Sequence, residues 1–196
     1  SIIEFELINS IIINSSGHDF QENSFDMLDK YWTEKDNDFF IQFPKNSSIL
    51  PYKTKYISIV SLDELQKIYK EILKKGICAI DTETDSLNIE EANLVGISLC
   101  YNENCAYYIP INHKNLVDQT KFKEQVSELK VLKVIESICS NPSVLKIGQN
   151  IKYDIRILNK YEISLKSIAD TMLMSYALDN GITRHGMDDL AFMHFN

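Results

Sequence analysis

Basic residues are scarce in this sequence. Its 196 residues carry 20 Lys plus Arg against 28 Asp plus Glu, a formal charge of −8. That balance excludes the simplest kind of nucleic-acid binder, a basic domain that neutralises phosphates along its surface. Contact with DNA would have to run through a local site or an attached partner. Cysteine is sparse too. The four, at positions 78, 100, 105 and 139, include no pair with a two-residue gap, so neither a zinc knuckle nor a Cys-x-x-Cys redox motif is present. Cys78 and Cys139 sit in apolar runs and read as core, a usage that suits a reducing, cytoplasmic compartment. Cys100 and Cys105 flank the polar turn Tyr101 to Asn104 and would face each other across a hairpin. Long apolar runs are missing: Ile11 to Ile13 is the longest near the start, far below the ~20 residues that a bilayer span needs. No basic stretch leads into an apolar one, so no secretory signal is read. The sequence opens on Ser1 without a Met, and the expectation is a piece of a longer polypeptide or a processed chain.

The hydrophobic fraction of 44% and charged fraction of 24% are those of a soluble globular protein with one real core. Residues 1–52 read as an N-terminal linker or appendage, polar and acidic from Asn14 to Asn37 and punctuated by Pro44 and Pro51. Residues 53–196 read as the domain. Tyr56 to Val60 is a β-branched run and predicts a strand. Ser61 with Glu64 forms a capping box, Leu65, Ile68, Tyr69, Ile72 and Leu73 follow at helical spacing, and Gly76 suits the C-terminal cap. Ile77 to Ile80, Leu94 to Leu99, Ala106 to Ile111 and Val144 to Ile147 predict further strands. One or two helices are predicted within 117–139, and further helices over about 151–160 and 171–179 and near Met187. The order β-α-β-β-β-α-β-α-α implies a mixed sheet flanked by helices, an α/β class.

Two constellations carry chemistry. Asp81-Thr82-Glu83-Thr84-Asp85 follows directly on the strand Ile77 to Ile80. Residues two apart on a strand share a face, so Asp81 and Glu83 project together. Like charges repel unless a cation sits between them, and hard Mg²⁺ or Mn²⁺ prefers oxygen ligands. A solvated strand end is the ordinary explanation of one such pair. The second constellation, Gly148-Gln149-Asn150-Ile151-Lys152-Tyr153-Asp154, lies at a strand-to-helix junction. There Asn150 can cap the helix and Asp154 falls one turn later.

Together, Asp81 to Leu87 and Gly148 to Asp154 resemble the first and second exonuclease motifs of the proofreading 3′–5′ exonuclease domain of family A DNA polymerases, in the DEDD superfamily. Ala106 to Pro110, Asp170 to Leu173 with Ser175-Tyr176, and Arg184 to Leu190 resemble the same family, so that the likeness runs from about residue 55 to 196. It implies a ribonuclease H-like fold, expected to be incomplete at its C-terminal end. It also implies hydrolysis of the 3′-terminal phosphodiester of single-stranded or frayed DNA, with two divalent cations, Mg²⁺ or Mn²⁺. Asp81 and Glu83 would be ligands of the first cation, with Asp81 bridging to the second, and Asp154 would hold the second largely through water. Thr82, Leu87, Asn150 and Arg184 are the substrate-binding residues that the resemblance implies, Leu87 as a wedge beside the terminal base and Asn150 as support for the terminal nucleotide. Asp170 reads as a helix cap. The implied partners are a single-stranded DNA 3′ end and a polymerase domain of the same parent chain, in DNA replication and repair, with no membrane.

The family also uses a fourth carboxylate in a Tyr-x-x-x-Asp motif. None of the ten tyrosines here has Asp four residues on. The isolated chain is therefore expected to bind metal weakly and to be weak or inactive as a nuclease. Two alternatives stand beside this reading: a non-catalytic domain that supports an attached polymerase, and an RNA-trimming exonuclease of the same superfamily.

Overall fold

The strand that ends in the carboxylates is the axis of the molecule. The computed structural model describes residues 55–102, 105–114, 120–123, 125–178 and 184–195; the expected N-terminal appendage, residues 1–52, lies outside them. In chain order the elements are β1 (Lys55–Ser58), α1 (Leu62–Lys75), β2 (Ile77–Thr84), β3 (Leu94–Asn102), β4 (Cys105–Pro110), α2 (Glu128–Cys139), β5 (Leu145–Gly148), α3 (Lys152–Asn159), β6 (Ile168–Asp170), α4 (Thr171–Leu178) and α5 (Met187–Phe195). The strands form one sheet in the order β1-β4-β3-β2-β5-β6. β2 runs antiparallel to β3 and parallel to β5, and β5 runs parallel to β6. This is the mixed α/β architecture predicted from the pattern.

Local signals explain most boundaries. Ser61 accepts from the Glu64 amide at 3.3 Å and donates to Glu64 Oε2 at 2.8 Å, so the cap forms as predicted. Gly76 takes φ +71°, the left-handed cap that a glycine adopts without steric cost. Leu65, Ile68 and Ile72 of α1 and Val131, Ile135 and Ile138 of α2 pack with Cys78, Ile80, Ile97 and Leu99 in the main core. A much smaller cluster, Ala79, Cys100, Ala106 and Ile147, occupies the other face of the sheet beneath Met174. None of the four cysteines forms a disulfide, and Cys78 and Cys139 lie in the core as expected.

Three expectations need correction. β6 was not predicted: it is three residues long with Ile168 exposed, too short for alternation to show. The region 117–139 yields one helix, beginning at Glu128; the described residues before it, 120–123 and 125–127, are not helical. There Gln125 Oε1 accepts from the His113 amide at 2.7 Å while its Nε2 donates to the carbonyls of Phe122 and His113. A side chain thus ties down backbone groups that a helix would have paired. β1 runs over 55–58 and is exposed at every position, because it pairs on one side only, with β4.

One close approach shapes the sheet beside the site. A Cβ at Gly96 would collide with the Tyr108 ring, so only a glycine lets that ring lie across β3. The Tyr108 hydroxyl bonds His113 Nε2 at 2.9 Å.

Candidate active site

β2 is apolar until Ile80 and turns acidic where it leaves the core. Asp81 is half-buried, Thr82 buried and Glu83 exposed, as alternation on a strand requires. A register shift between Glu83 and Thr84 marks an irregularity in the pairing with β3, a feature common beside functional sites. Burial pushes the Asp81 carboxyl up, and burial followed by the Asp81 charge pushes Glu83 up.

The parallel neighbour β5 delivers the third carboxylate. Gly148 ends β5, where a Cβ would press on Ile151 at 2.9 Å. Asn150 then takes φ +54°, a left-handed conformation that Asn tolerates better than most side chains, and the chain turns into α3. Asp154, in the first turn of α3, is buried. Its Oδ1 accepts from the Thr82 amide at 2.8 Å and from Thr82 Oγ1 at 2.6 Å. Burial raises its carboxyl to about 6; the Thr82 bonds act against that shift, and the Asp81 charge adds to it. Asp81 is therefore the charge that both other carboxylates feel.

Two expectations change, the contact of Thr82 with substrate and the capping of α3 by Asn150. Thr82 is turned inward, and both of its donors are spent on Asp154, so it positions a carboxylate instead of meeting substrate. Asn150 does not cap α3 with its side chain: the cap residue is Ile151, without a side-chain bond. Asp170 does the capping. It accepts from the amides of Asn150 (3.1 Å) and Ile151 (3.0 Å) at the start of α3, and from Met172 (2.9 Å) and Leu173 (3.3 Å) at the start of α4. Asn150 is exposed, four residues before Asp154. Leu87 is 93% exposed on the turn after β2. Arg184 is exposed, and the neighbouring His185 carbonyl accepts from Gln149 Nε2 at 2.7 Å, which ties that segment to the end of β5. The His185 ring lies against Tyr176 and bonds Ser175 through Nδ1.

Two neighbours of the site were not read from the sequence as site residues. The Tyr108 ring lies over Gly96, which pairs with Glu83 across β2 and β3, and its hydroxyl is raised by burial and then by the Glu83 charge. The Tyr153 hydroxyl bonds Thr84 Oγ1 at 2.6 Å, next to the acidic strand end. Both lie inside segments that carry the resemblance, Ala106 to Pro110 and Gly148 to Asp154, but a tyrosine there gives no sign by type or spacing that it borders the carboxylates.

Among the described residues no three His, Cys, Asp or Glu groups converge closely enough to form a ready-made metal cage. The donor chemistry nonetheless fits a hard divalent cation. Asp81, Glu83 and Asp154 are all oxygen donors; burial first, and the Asp81 charge in addition, raise Glu83 and Asp154, and a cation relieves the repulsion among them.

The fold, a six-stranded mixed sheet with this strand end beside a parallel strand and a helix, is that of the ribonuclease H-like exonucleases. Escherichia coli RNase D, described as an exoribonuclease involved in structured RNA processing, superposes with TM-score 0.54 at 16% identity, over 72% of this chain and 33% of that one. The apo form of a nuclease gives TM-score 0.50 at 21% identity, over 73% and 61%. Residues 56–196 match the 3′–5′ exonuclease family of family A DNA polymerases, and the chain belongs to that family. It is 37% identical over 149 residues to DNA polymerase I of Rhizobium leguminosarum, covering 69% of this chain and 15% of that protein. With DNA polymerase I of Pseudomonas aeruginosa it shares 38% identity over 128 residues, 64% of this chain and 14% of that protein. The chain thus spans about one-seventh of these relatives' length. Among the described residues no helix is long and apolar enough to cross a membrane.

Proposed function

We propose that this chain is the proofreading 3′–5′ exonuclease domain of a DNA polymerase I and that it removes the terminal nucleotide from single-stranded or frayed DNA. The observation that carries the reading is the pair of Thr82 bonds to Asp154. They draw a buried carboxylate from α3 onto the strand that presents Asp81 and Glu83, 72 residues away in sequence.

Asp81 and Glu83 would hold one Mg²⁺ or Mn²⁺, and Asp154 would reach a second through water. Such cations supply a water acidified for attack and charge to stabilise the scissile phosphate. The protein's share is positional. β2 fixes Asp81 and Glu83 on one face, and Thr82 fixes the Asp154 carboxylate by a main-chain and a side-chain donor. Burial of Asp154 and half-burial of Asp81 keep bulk water from screening those two carboxylates. Leu87 stands clear of the turn, where its apolar side chain can wedge beside a terminal base. Asn150 and Arg184 lie at the same end of the sheet and would meet the terminal nucleotide and its phosphate. A single-stranded end suits such a site, because a base already unstacked is cheap to place.

The test is a metal-dependent exonuclease assay on single-stranded DNA and RNA 3′ ends, using the polymerase chain that carries this domain. We expect Asp81→Ala to lower DNA hydrolysis by about 10³-fold or more while the melting temperature holds. Retained hydrolysis in that variant would sink the reading, and a rate on RNA that matches or exceeds the rate on DNA would move the substrate. These 196 residues supply three of the four carboxylates that the family resemblance calls for. By themselves they should be weakly active at most. Full activity from them, abolished by Asp81→Ala, would show that the fourth is dispensable.

A further inference from the structure

The turn that carries Leu87 is held more firmly than its surface position requires. Within the turn, the Asn93 amide donates to Asp85 Oδ1 at 2.7 Å and Asn93 Nδ2 to Oδ2 at 3.0 Å, which closes residues 85–93 into a loop. The Glu91 and Ala92 amides both bond the Asn88 carbonyl and form one helical turn at its far side. That leaves the carbonyls at the end of the turn in need of donors.

α3 supplies them. Tyr153, Arg156 and Lys160 fall at i, i+3 and i+7, one stripe of the helix. The Tyr153 hydroxyl donates to the Ser86 carbonyl at 3.2 Å, and Arg156 Nη2 meets Glu90 Oε1 at 3.2 Å. Lys160 Nζ donates to three carbonyls of the same turn: Ile89 (2.9 Å), Glu90 (3.2 Å) and Ala92 (2.5 Å). An ammonium has three protons, and all three have an acceptor here. Just beyond, the Leu94 amide donates to the Tyr161 hydroxyl at 3.0 Å.

Asp154 sits on this same helix, one residue after Tyr153. One rigid element therefore indexes both the buried carboxylate, through Thr82, and the turn that presents Leu87. We propose that Lys160 is a positioning residue for Leu87: by gathering the carbonyls of residues 89, 90 and 92 onto α3 it sets how far Leu87 reaches relative to the carboxylates. Lys160 touches no reacting atom. The inference rests on the reading of Leu87 as a wedge at the DNA end. It adds that the wedge is held from the second motif's helix and not by its own turn alone.

The test is a double-mutant cycle in the polymerase chain with Leu87→Ala, Lys160→Met and both together. Single-turnover hydrolysis is compared on single-stranded and on fully paired 3′ ends. A wedge matters most where a base pair must open, so the ratio of paired to single-stranded rates is the readout. Each single variant should lower that ratio by a factor on the order of ten, and the double variant by no more than the larger single effect, because the two residues act as one unit. Lys160→Arg, which keeps donors on the turn, should recover most of the ratio. A lysine that only braced a surface loop would lower the melting temperature and leave the ratio alone. The inference is overturned if Leu87→Ala lowers the ratio but Lys160→Met does not, or if the two effects multiply in the double variant. If Leu87→Ala itself leaves the ratio unchanged while Asp81→Ala still abolishes hydrolysis, the wedge reading fails and this inference falls with it, but the nuclease stands.

Discussion

Asp154 and Asp170 are both buried, both lie where a parallel strand of the sheet hands over to a helix, and the protein uses them in opposite ways. Asp170 receives four backbone amides, two from the residues that lead into α3 and two from the first turn of α4. Its charge is consumed at the starts of two helices. Asp154 receives one amide and one hydroxyl on a single oxygen, beside Asp81, and its carboxyl is raised to about 6. Its charge is left over. A buried acid saturated by main-chain donors is architecture, whereas one crowded against another acid is a standing demand for a cation. Sequence position does not separate the two cases; the count of amides does.

The contrast can be broken most forcefully at Asp170. Asp170→Ala strips the cap from two helix ends at once and should cost ~2–4 kcal/mol of stability by urea denaturation, with or without Mg²⁺. A loss below ~1 kcal/mol would mean that water replaces the carboxylate freely. Asp154→Asn should do the reverse in metal-free protein. The folded-state pKa, about 6, lies above the ordinary aspartate value. The folded chain therefore holds this proton more firmly than the unfolded chain. Wild-type stability should fall as pH rises from about 4 to about 6 and level off above that range, by an amount on the order of 1–3 kcal/mol. Asparagine keeps the acceptor for Thr82 but carries no charge, so the variant should lose the share of that pH dependence that belongs to Asp154, keep the share of Asp81 and Glu83, and be the more stable protein at pH 8. Mg²⁺ should stabilise the wild type more than the variant, which keeps Asp81 and Glu83, and a wild type that is flat across this range would refute the account. The mildest change is Tyr153→Phe, which removes the bonds to Thr84 and Ser86 at the margin of the site and should cost ~1 kcal/mol. Thermal melts can resolve that, and an effect as large as that of Asp170→Ala would erase the distinction between capping and bracing.

The periodic parts of the fold were readable from the pattern because their signals are local. Short apolar runs gave β2 and β3, helical spacing gave α1, and Ser61, Glu64 and Gly76 marked its ends. β6 escaped because three residues cannot display a period, and the stretch before α2 misled because its apolar residues carry no sign that Gln125 diverts the backbone. The same divide runs through the site. Asp81, Glu83 and Asp154 stood out by type and spacing. The inward turn of Thr82, the capping of α3 by Asp170 and the reach of Lys160 to residues 89–92 depend on contacts made across about 20 to 72 residues of sequence. No local window contains such contacts.

Gly96 has a consequence for what this chain can become. The space above it is filled by the Tyr108 ring, which bonds His113, whose own amide and carbonyl are clasped by Gln125. A single methyl group at position 96 would therefore be felt first by the wall beside Glu83 and then by a loop more than 25 residues further along the chain. Positions like this leave no room for gradual drift: every one-step variant is a large step, and the width of the acidic strand's flank is held constant by an atom that is not there.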